Sequence, residues 1–208
     1  MKMNPARWAI LAGGIFIAII LALYLSNITV PVGERQKSLD QLGGRFQLTS
    51  LNGPIDTDDY LGKTLVLYFG FLNCAEVCPS SMGVMSTAFR LLEPDAYEQV
   101  QGFFISVDPG RDDYQSLYDF SQYFDKRILG LTGTQAEVDS VTDMFGVYVD
   151  IVEMESSVLS YTVDHSSRFF VIDPNGQLVD AMSHSTTPVE LAARIERVIE
   201  SNSVNTQD

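Results

Sequence analysis

The run from Thr64 to Phe71, TLVLYFGF, restricts the fold more than any other part of this chain. It is continuously apolar and rich in β-branched and aromatic residues, so as a strand it has no face left for water. Such a strand belongs inside a sheet that is covered by helices on both sides. Gly102 to Val107, GFFISV, is a second run of the same kind, closed by Asp108-Pro109-Gly110-Arg111-Asp112.

The stretches between these runs supply the covering helices. Cys78-Pro79-Ser80 opens one that continues to about Leu92, with Pro79 in the first turn, where a missing N–H costs nothing. Asp113 to Phe124 has helical character, and Thr134 followed by Glu137 forms the capping box of another helix. Thr187, Pro188 and Glu190 start a last helix that runs to about Ser201. Extended segments are expected at Arg45 to Leu48 before the turn Leu51 to Pro54, at Ile128 to Leu131 and at Phe145 to Val152. Arg168 to Asp173 and Gln177 to Met182 flank Pro174-Asn175-Gly176 as a hairpin. Strands alternating with helices and closed by a hairpin predict an α/β, thioredoxin-like fold, a mixed central sheet with flanking helices.

Ahead of that domain, no charged side chain occurs between Trp8 and Gly33, and Trp8 to Leu25 is almost wholly apolar. This is the length and character of one transmembrane helix, with Trp8 and Tyr24 where interfacial aromatics sit. A cleaved leader is disfavoured, because Ala22-Leu23-Tyr24 is a poor cleavage site. The expected organisation is a short cytoplasmic amino terminus over 1–7, an anchor over 8–26, a linker over 27–43, the folded domain over 44–201 and a tail over 202–208. Lys2 and Arg7 are matched by Arg35 and Lys37, so flanking charge barely orients the anchor. Keeping the short amino end in the cytoplasm and exporting the domain is the simpler topology. A net charge of −14 argues against nucleic acid as a partner, since phosphate binding needs clustered Lys and Arg.

Open α/β sheets place ligands beyond the carboxyl ends of their strands. There this chain puts both of its cysteines, as Cys74-Ala75-Glu76-Val77-Cys78. A thiol at a loop-to-helix junction ionises more easily, and a thiolate is both nucleophile and metal ligand. The three-residue spacing sets the sulfurs about one helical turn apart, where they can converge on one ion. A disulfide here closes so short a loop that its entropic benefit is small. Two histidines are available as a third ligand. His165 stands ahead of the strand that begins at Arg168, beside Asp164, whereas His184 lies in a polar stretch suited to the surface. Two thiolates and an imidazole suit copper, because soft sulfur selects Cu(I) and imidazole helps to hold Cu(II). Zinc is disfavoured for want of a third cysteine. Met82 and Met85 follow on the helix, and methionines at that spacing are more often core packing than ligands.

Taken together, several motifs in order resemble the Sco/SenC family of copper-binding thioredoxin-fold proteins. They are Gly62 to Phe71 leading into Cys74-x-x-x-Cys78-Pro79, then Ser106-Val107-Asp108-Pro109-x-Arg111-Asp112, Leu131-Thr132-Gly133 and Tyr161-x-Val163-Asp164-His165-Ser166. The resemblance covers about residues 44 to 200. It implies Cys74, Cys78 and His165 as copper ligands, Cys74 and Cys78 as a redox-active disulfide pair, and Asp108 and Asp164 as acids behind the ligands. The chain departs from the family at Ala75-Glu76, where Pro-Asp is usual, and at Asn73, where Thr or Ser is commoner. The proline's absence loosens this loop.

The function that this resemblance implies is assembly of cytochrome c oxidase: a membrane-anchored metallochaperone carrying Cu(I) or Cu(II) to the CuA centre of subunit II. It implies a copper donor and a thiol reductant as further partners, and a single-pass protein of a bacterial-type inner membrane with its domain in the periplasm, in preference to the mitochondrial inner membrane. The same two cysteines suit a thiol–disulfide oxidoreductase, and a copper or redox sensor is a third reading. No separate resolving cysteine exists for a peroxidase.

Overall fold

A computed structural model describes residues 15–22, 38–153 and 161–205. The chain divides into two units, Met1–Lys37 and Ser38–Asp208. In the first, residues 15–22 are helical, with the apolar side chains of Ile15, Phe16, Ile17, Ile19, Ile20 and Leu21 exposed. The rest of the anchor expected over 8–26 lies outside the described residues. Among the described residues no helix is long and apolar enough to cross a membrane.

After a short 3-10 turn at Leu39–Gln41, the second unit forms a hairpin, β1 (Gln47–Ser50) and β2 (Gly53–Asp56). Then comes β3 (Thr64–Gly70), in which every residue is buried, as a strand with no polar face requires. Helix α1 (Val77–Leu91) and a short α2 (Pro94–Glu98) lead to β4 (Val100–Ser106), also buried throughout. The chain continues through α3 (Tyr114–Phe124), β5 (Ile128–Leu131), α4 (Gln135–Phe145), β6 (Val149–Glu153), β7 (Tyr161–His165), β8 (Arg168–Ile172), β9 (Leu178–Ser183) and α5 (Pro188–Asn205).

The central sheet has the order β5-β4-β3-β8-β9. β3, β4 and β5 run parallel, and β8 and β9 are antiparallel to their neighbours, so the sheet is mixed as expected. Because side chains alternate along a strand, β3 feeds two separate cores. Val66 and Tyr68 pack with Met85 and Phe89 of α1, Leu117 of α3 and Leu191 and Ile195 of α5. Leu65, Leu67 and Phe69 pack with Val138, Val141 and Phe145 of α4 and with Phe46 and Leu48 near β1. Phe69, Phe145 and Phe170 form a triangle of rings with centroids 5.5 to 5.6 Å apart.

Two expectations need correction. Phe145 does not begin an extended segment; it ends α4, where Gly146 adopts the left-handed conformation (φ 63°) that closes a helix. His165, expected only to precede the strand at Arg168, is itself the last residue of β7, which pairs with β6 as a separate two-stranded ribbon. Its polar composition, YTVDH, hides it from a search for apolar runs. The capping boxes at Thr134 and Thr187 form as expected, with each threonine hydroxyl and backbone N–H meeting the glutamate three residues on.

Helix α3 lies against β5 at Gly130, where a Cβ would stand 2.5 Å from the Leu117 carbonyl oxygen and 2.7 Å from Ser121 Oγ. Gly83 in α1 has no neighbour within 4 Å of such an atom. Gly130→Ala is therefore expected to lower the urea-unfolding free energy by about 1–3 kcal/mol through overpacking. Gly83→Ala should raise it by about 0.4–1 kcal/mol. Equal effects of the two substitutions would contradict the packing described.

Candidate metal centre

Strand β3 ends at Gly70, and the chain turns through Phe71, Leu72 and Asn73 to Cys74, whose N–H donates to the Phe71 carbonyl at 3.3 Å. Helix α1 starts at Val77 with Glu76 in the cap position, yet Glu76 contributes no side-chain cap. The sulfur of Cys74 takes part of that role by accepting a hydrogen bond from the Cys78 N–H at 3.3 Å. Cys74 thereby sits in the favourable field of a helix amino terminus. Cys78, one residue inside the helix, is fully buried. Its sulfur packs over the end of β3, where a Cβ on Gly70 would approach Cys78 Sγ to 2.8 Å and the Phe104 ring to 2.7 Å. Only glycine leaves that space.

The ribbon brings in the third donor. His165 Nε2 lies 3.9 Å from Cys78 Sγ, and the imidazole meets the Phe71 ring edge to face at 5.8 Å. The other ring nitrogen, Nδ1, is 3.4 Å from the Ser166 carbonyl, which leaves Nε2 to the sulfurs. Both cysteines are free thiols. Their acidities separate. A hydrogen bond from the Cys78 thiol, then one from His165 and those from the backbone, outweigh burial and lower the Cys74 pKa to about 4. Cys78 moves upward, because it holds its proton to donate to Cys74 and because it is buried. At neutral pH the pair is one thiolate and one thiol.

This donor set fits a soft ion. Donor bonds of about 2.0–2.3 Å place two ligand atoms about 3.5–4 Å apart on one ion, and the gap between Cys78 Sγ and His165 Nε2 falls in that range. Among the described residues no three such side chains form a closed coordination cage, so binding calls for the donors to draw together. Two sulfurs and one imidazole match Cu(I), with the imidazole adding a donor for Cu(II).

The other residues singled out in the sequence lie elsewhere. Asp108 is buried but is turned to Arg111 and Tyr161, accepting from Arg111 Nε at 2.5 Å and from the Tyr161 hydroxyl at 2.8 Å. Asp164 is exposed and sits opposite Asp150 on the ribbon, one residue out of step with His165 and hence on the other face. His184 is exposed after β9. Met82 and Met85 are wholly buried in the core shared with Cys78. Two contributors had no role assigned from sequence. Asp112 accepts from the Leu72 N–H at 2.9 Å and from Ser106 Oγ at 2.7 Å, which holds the loop ahead of Cys74. Gly70 makes room for Cys78. Both stand within motifs visible in the sequence, but only the tertiary contact gives them a purpose.

Comparison with known proteins finds a family match and related folds. The SCO1/SenC family model matches residues 34–200. The mitochondrial protein SCO2 of Saccharomyces cerevisiae is 37% identical over 145 residues, 69% of this chain and 48% of that protein, so the chain spans about half the length of this relative. The mitochondrial SCO1 homolog of Homo sapiens is 32% identical over 203 residues, 93% of this chain and 67% of its own length. Among solved structures, ScoI of Bradyrhizobium japonicum with copper bound is 33% identical and superposes with a TM-score of 0.68, covering 76% of this chain and 99% of that one. With a family match over most of its length and a fold shared with these proteins, the chain belongs to the SCO1/SenC family.

Proposed function

We propose that this protein is a membrane-anchored copper chaperone that holds copper through Cys74, Cys78 and His165 and delivers it to the CuA centre of cytochrome c oxidase subunit II. The observation that carries this reading is the approach of His165 Nε2 to Cys78 Sγ, 87 residues apart in sequence, at 3.9 Å, beside the Cys74 sulfur that the Cys78 N–H holds at 3.3 Å. The copper bound to the related ScoI protein supports it. The charge-free segment after Trp8 serves as a single-pass anchor in a bacterial-type inner membrane, with the domain in the periplasm. Anchoring confines carrier and acceptor to one surface and raises their effective concentration.

Copper is the cargo. The Cys74 thiolate is present at neutral pH and is the entry ligand; Cys78 releases its proton to solvent as its sulfur joins. Two thiolates suffice for Cu(I), and the imidazole is the group most easily withdrawn. Delivery proceeds by ligand exchange: acceptor thiolates replace Cys74 and Cys78 one at a time, and Cys78 recovers its proton. A disulfide holds no copper, so a thiol reductant must act before a copper donor can load the site.

The unequal thiols favour a second reading in the same site. Thiolate Cys74 attacks a target disulfide to give a mixed disulfide; Cys78 then loses its proton and attacks Cys74, releasing the target as a dithiol and leaving a Cys74–Cys78 disulfide. That chemistry has no use for His165 as a ligand. Loading the reduced full chain in detergent with copper separates the two. Cys74→Ala and Cys78→Ala should abolish stoichiometric binding; His165→Ala should lose the sulfur-to-Cu(II) charge-transfer absorption while keeping Cu(I), and His184→Ala should change neither. Undiminished Cu(II) binding by His165→Ala removes that residue from the site.

The thiol asymmetry has its own test in the reduced, metal-free chain. Alkylation should label Cys74 alone, with half-maximal rate near the pKa of about 4, and His165→Ala should move that midpoint upward. Since the folded value is depressed, the stability Cys74 contributes is complete above the free-thiol value of about 8.5 and is lost as pH falls through the folded one. Equal labelling of both cysteines with midpoints near about 8.5 would contradict the asymmetry.

A further inference from the structure

His165 stands on the β6–β7 ribbon, which among the described residues shares no backbone ladder with the central sheet. A two-stranded ribbon is marginal on its own, so something must fix it against the domain. Val163 is buried in the core on the α4 side, but residues 150–153 of β6 are exposed, including Ile151 and Val152. The strongest polar attachment lies at the opposite end of β7 from His165. Arg111 Nη1 donates to the Tyr161 carbonyl at 2.9 Å, and its guanidinium covers the Tyr161 ring at 3.6 Å from the centroid. Arg111 Nε donates to Asp108 Oδ2 at 2.5 Å, and the Tyr161 hydroxyl donates to Asp108 Oδ1 at 2.8 Å. The planar fork of arginine serves carboxylate, carbonyl and aromatic face at once, which lysine cannot do. The next residue, Asp112, faces the other way and holds the Leu72 N–H ahead of Cys74. The loop from Asp108 to Asp112 thus grips the histidine ribbon with one side and the cysteine loop with the other.

We propose that Arg111 and Tyr161 are positioning residues for His165, forming with Asp108 a clamp that sets the ribbon against the cysteines and so decides whether copper is held by sulfur alone or by sulfur and imidazole. The inference rests on the copper reading above. Neither Arg111 nor Tyr161 touches the ion; they act through β7. Loosening the clamp lets the ribbon carry His165 away while Cys74 and Cys78, fixed by α1 and β3, keep their places. Cu(II), which needs the imidazole, is then lost before Cu(I).

The test uses the full chain in detergent with Tyr161→Leu, Tyr161→Phe and Arg111→Met. Removing Arg111 leaves Asp108 buried without its ion pair and risks the fold, so the Tyr161 variants decide. In metal-free Tyr161→Leu, amide hydrogen exchange over 149–153 and 161–165 should quicken about tenfold or more, with 64–70 and 100–106 unchanged. After loading, Cu(II) should dissociate about tenfold faster, with Cu(I) stoichiometry intact. Tyr161→Phe, which keeps the ring beneath Arg111, should retain most of the wild-type behaviour. Wild-type exchange in the ribbon of Tyr161→Leu overturns the clamp, as does parallel loss of Cu(I), Cu(II) and sheet protection, which marks a merely structural role. If the wild-type protein takes up no copper, it is the copper reading that fails, and the exchange measurement, which needs no metal, still decides the clamp.

Discussion

The hydrogen bond from the Cys78 N–H to the sulfur of Cys74 is the contact on which the site depends. It makes a side chain of the loop part of the helix it precedes, and so fixes the two sulfurs relative to each other before any ligand arrives. It also adds to the hydrogen bond from the Cys78 thiol, the largest of the influences that make Cys74 the thiol to ionise. The arrangement needs Cys78 pressed against the sheet, and glycine at position 70 provides the space. A strand buried on both faces, a glycine at its end and a helix started by a sulfur form one continuous device.

The two cores explain why the site sits where it does. One packs α1 beneath the sheet and takes in Cys78; the other packs α4, the first hairpin and Val163 of the ribbon. Cys74 touches both, at the seam where β3 stops. His165 comes from the α4 side and meets a cysteine anchored in the α1 side. The site therefore lies where the two cores, packed on opposite faces of the same sheet, come together.

Much of this was legible in the sequence. The buried strands announced themselves as apolar runs, the helix starts as capping boxes, and the two cysteines as a pair at a strand end. The ordered motifs named the family before the structure supplied the fold. Most of β6 falls within the extended segment expected up to Val152, but β7 was not legible, because YTVDH alternates polar residues in a strand that is only half buried, and the left-handed Gly146 that separates α4 from β6 was read through. Asp108 makes its contacts with Arg111 and Tyr161. Such a role depends on which residues meet across 53 positions of sequence, and no local pattern encodes that.

The central claim is that two sulfurs and one imidazole share a copper ion. X-ray absorption at the copper edge of the loaded full-length protein tests it most directly, by counting the sulfur and nitrogen neighbours of the metal. The account predicts two sulfur neighbours together with one imidazole nitrogen for Cu(II), and the same two sulfurs for Cu(I). A shell made only of nitrogen and oxygen, or one with three or more sulfurs from paired chains, would contradict it.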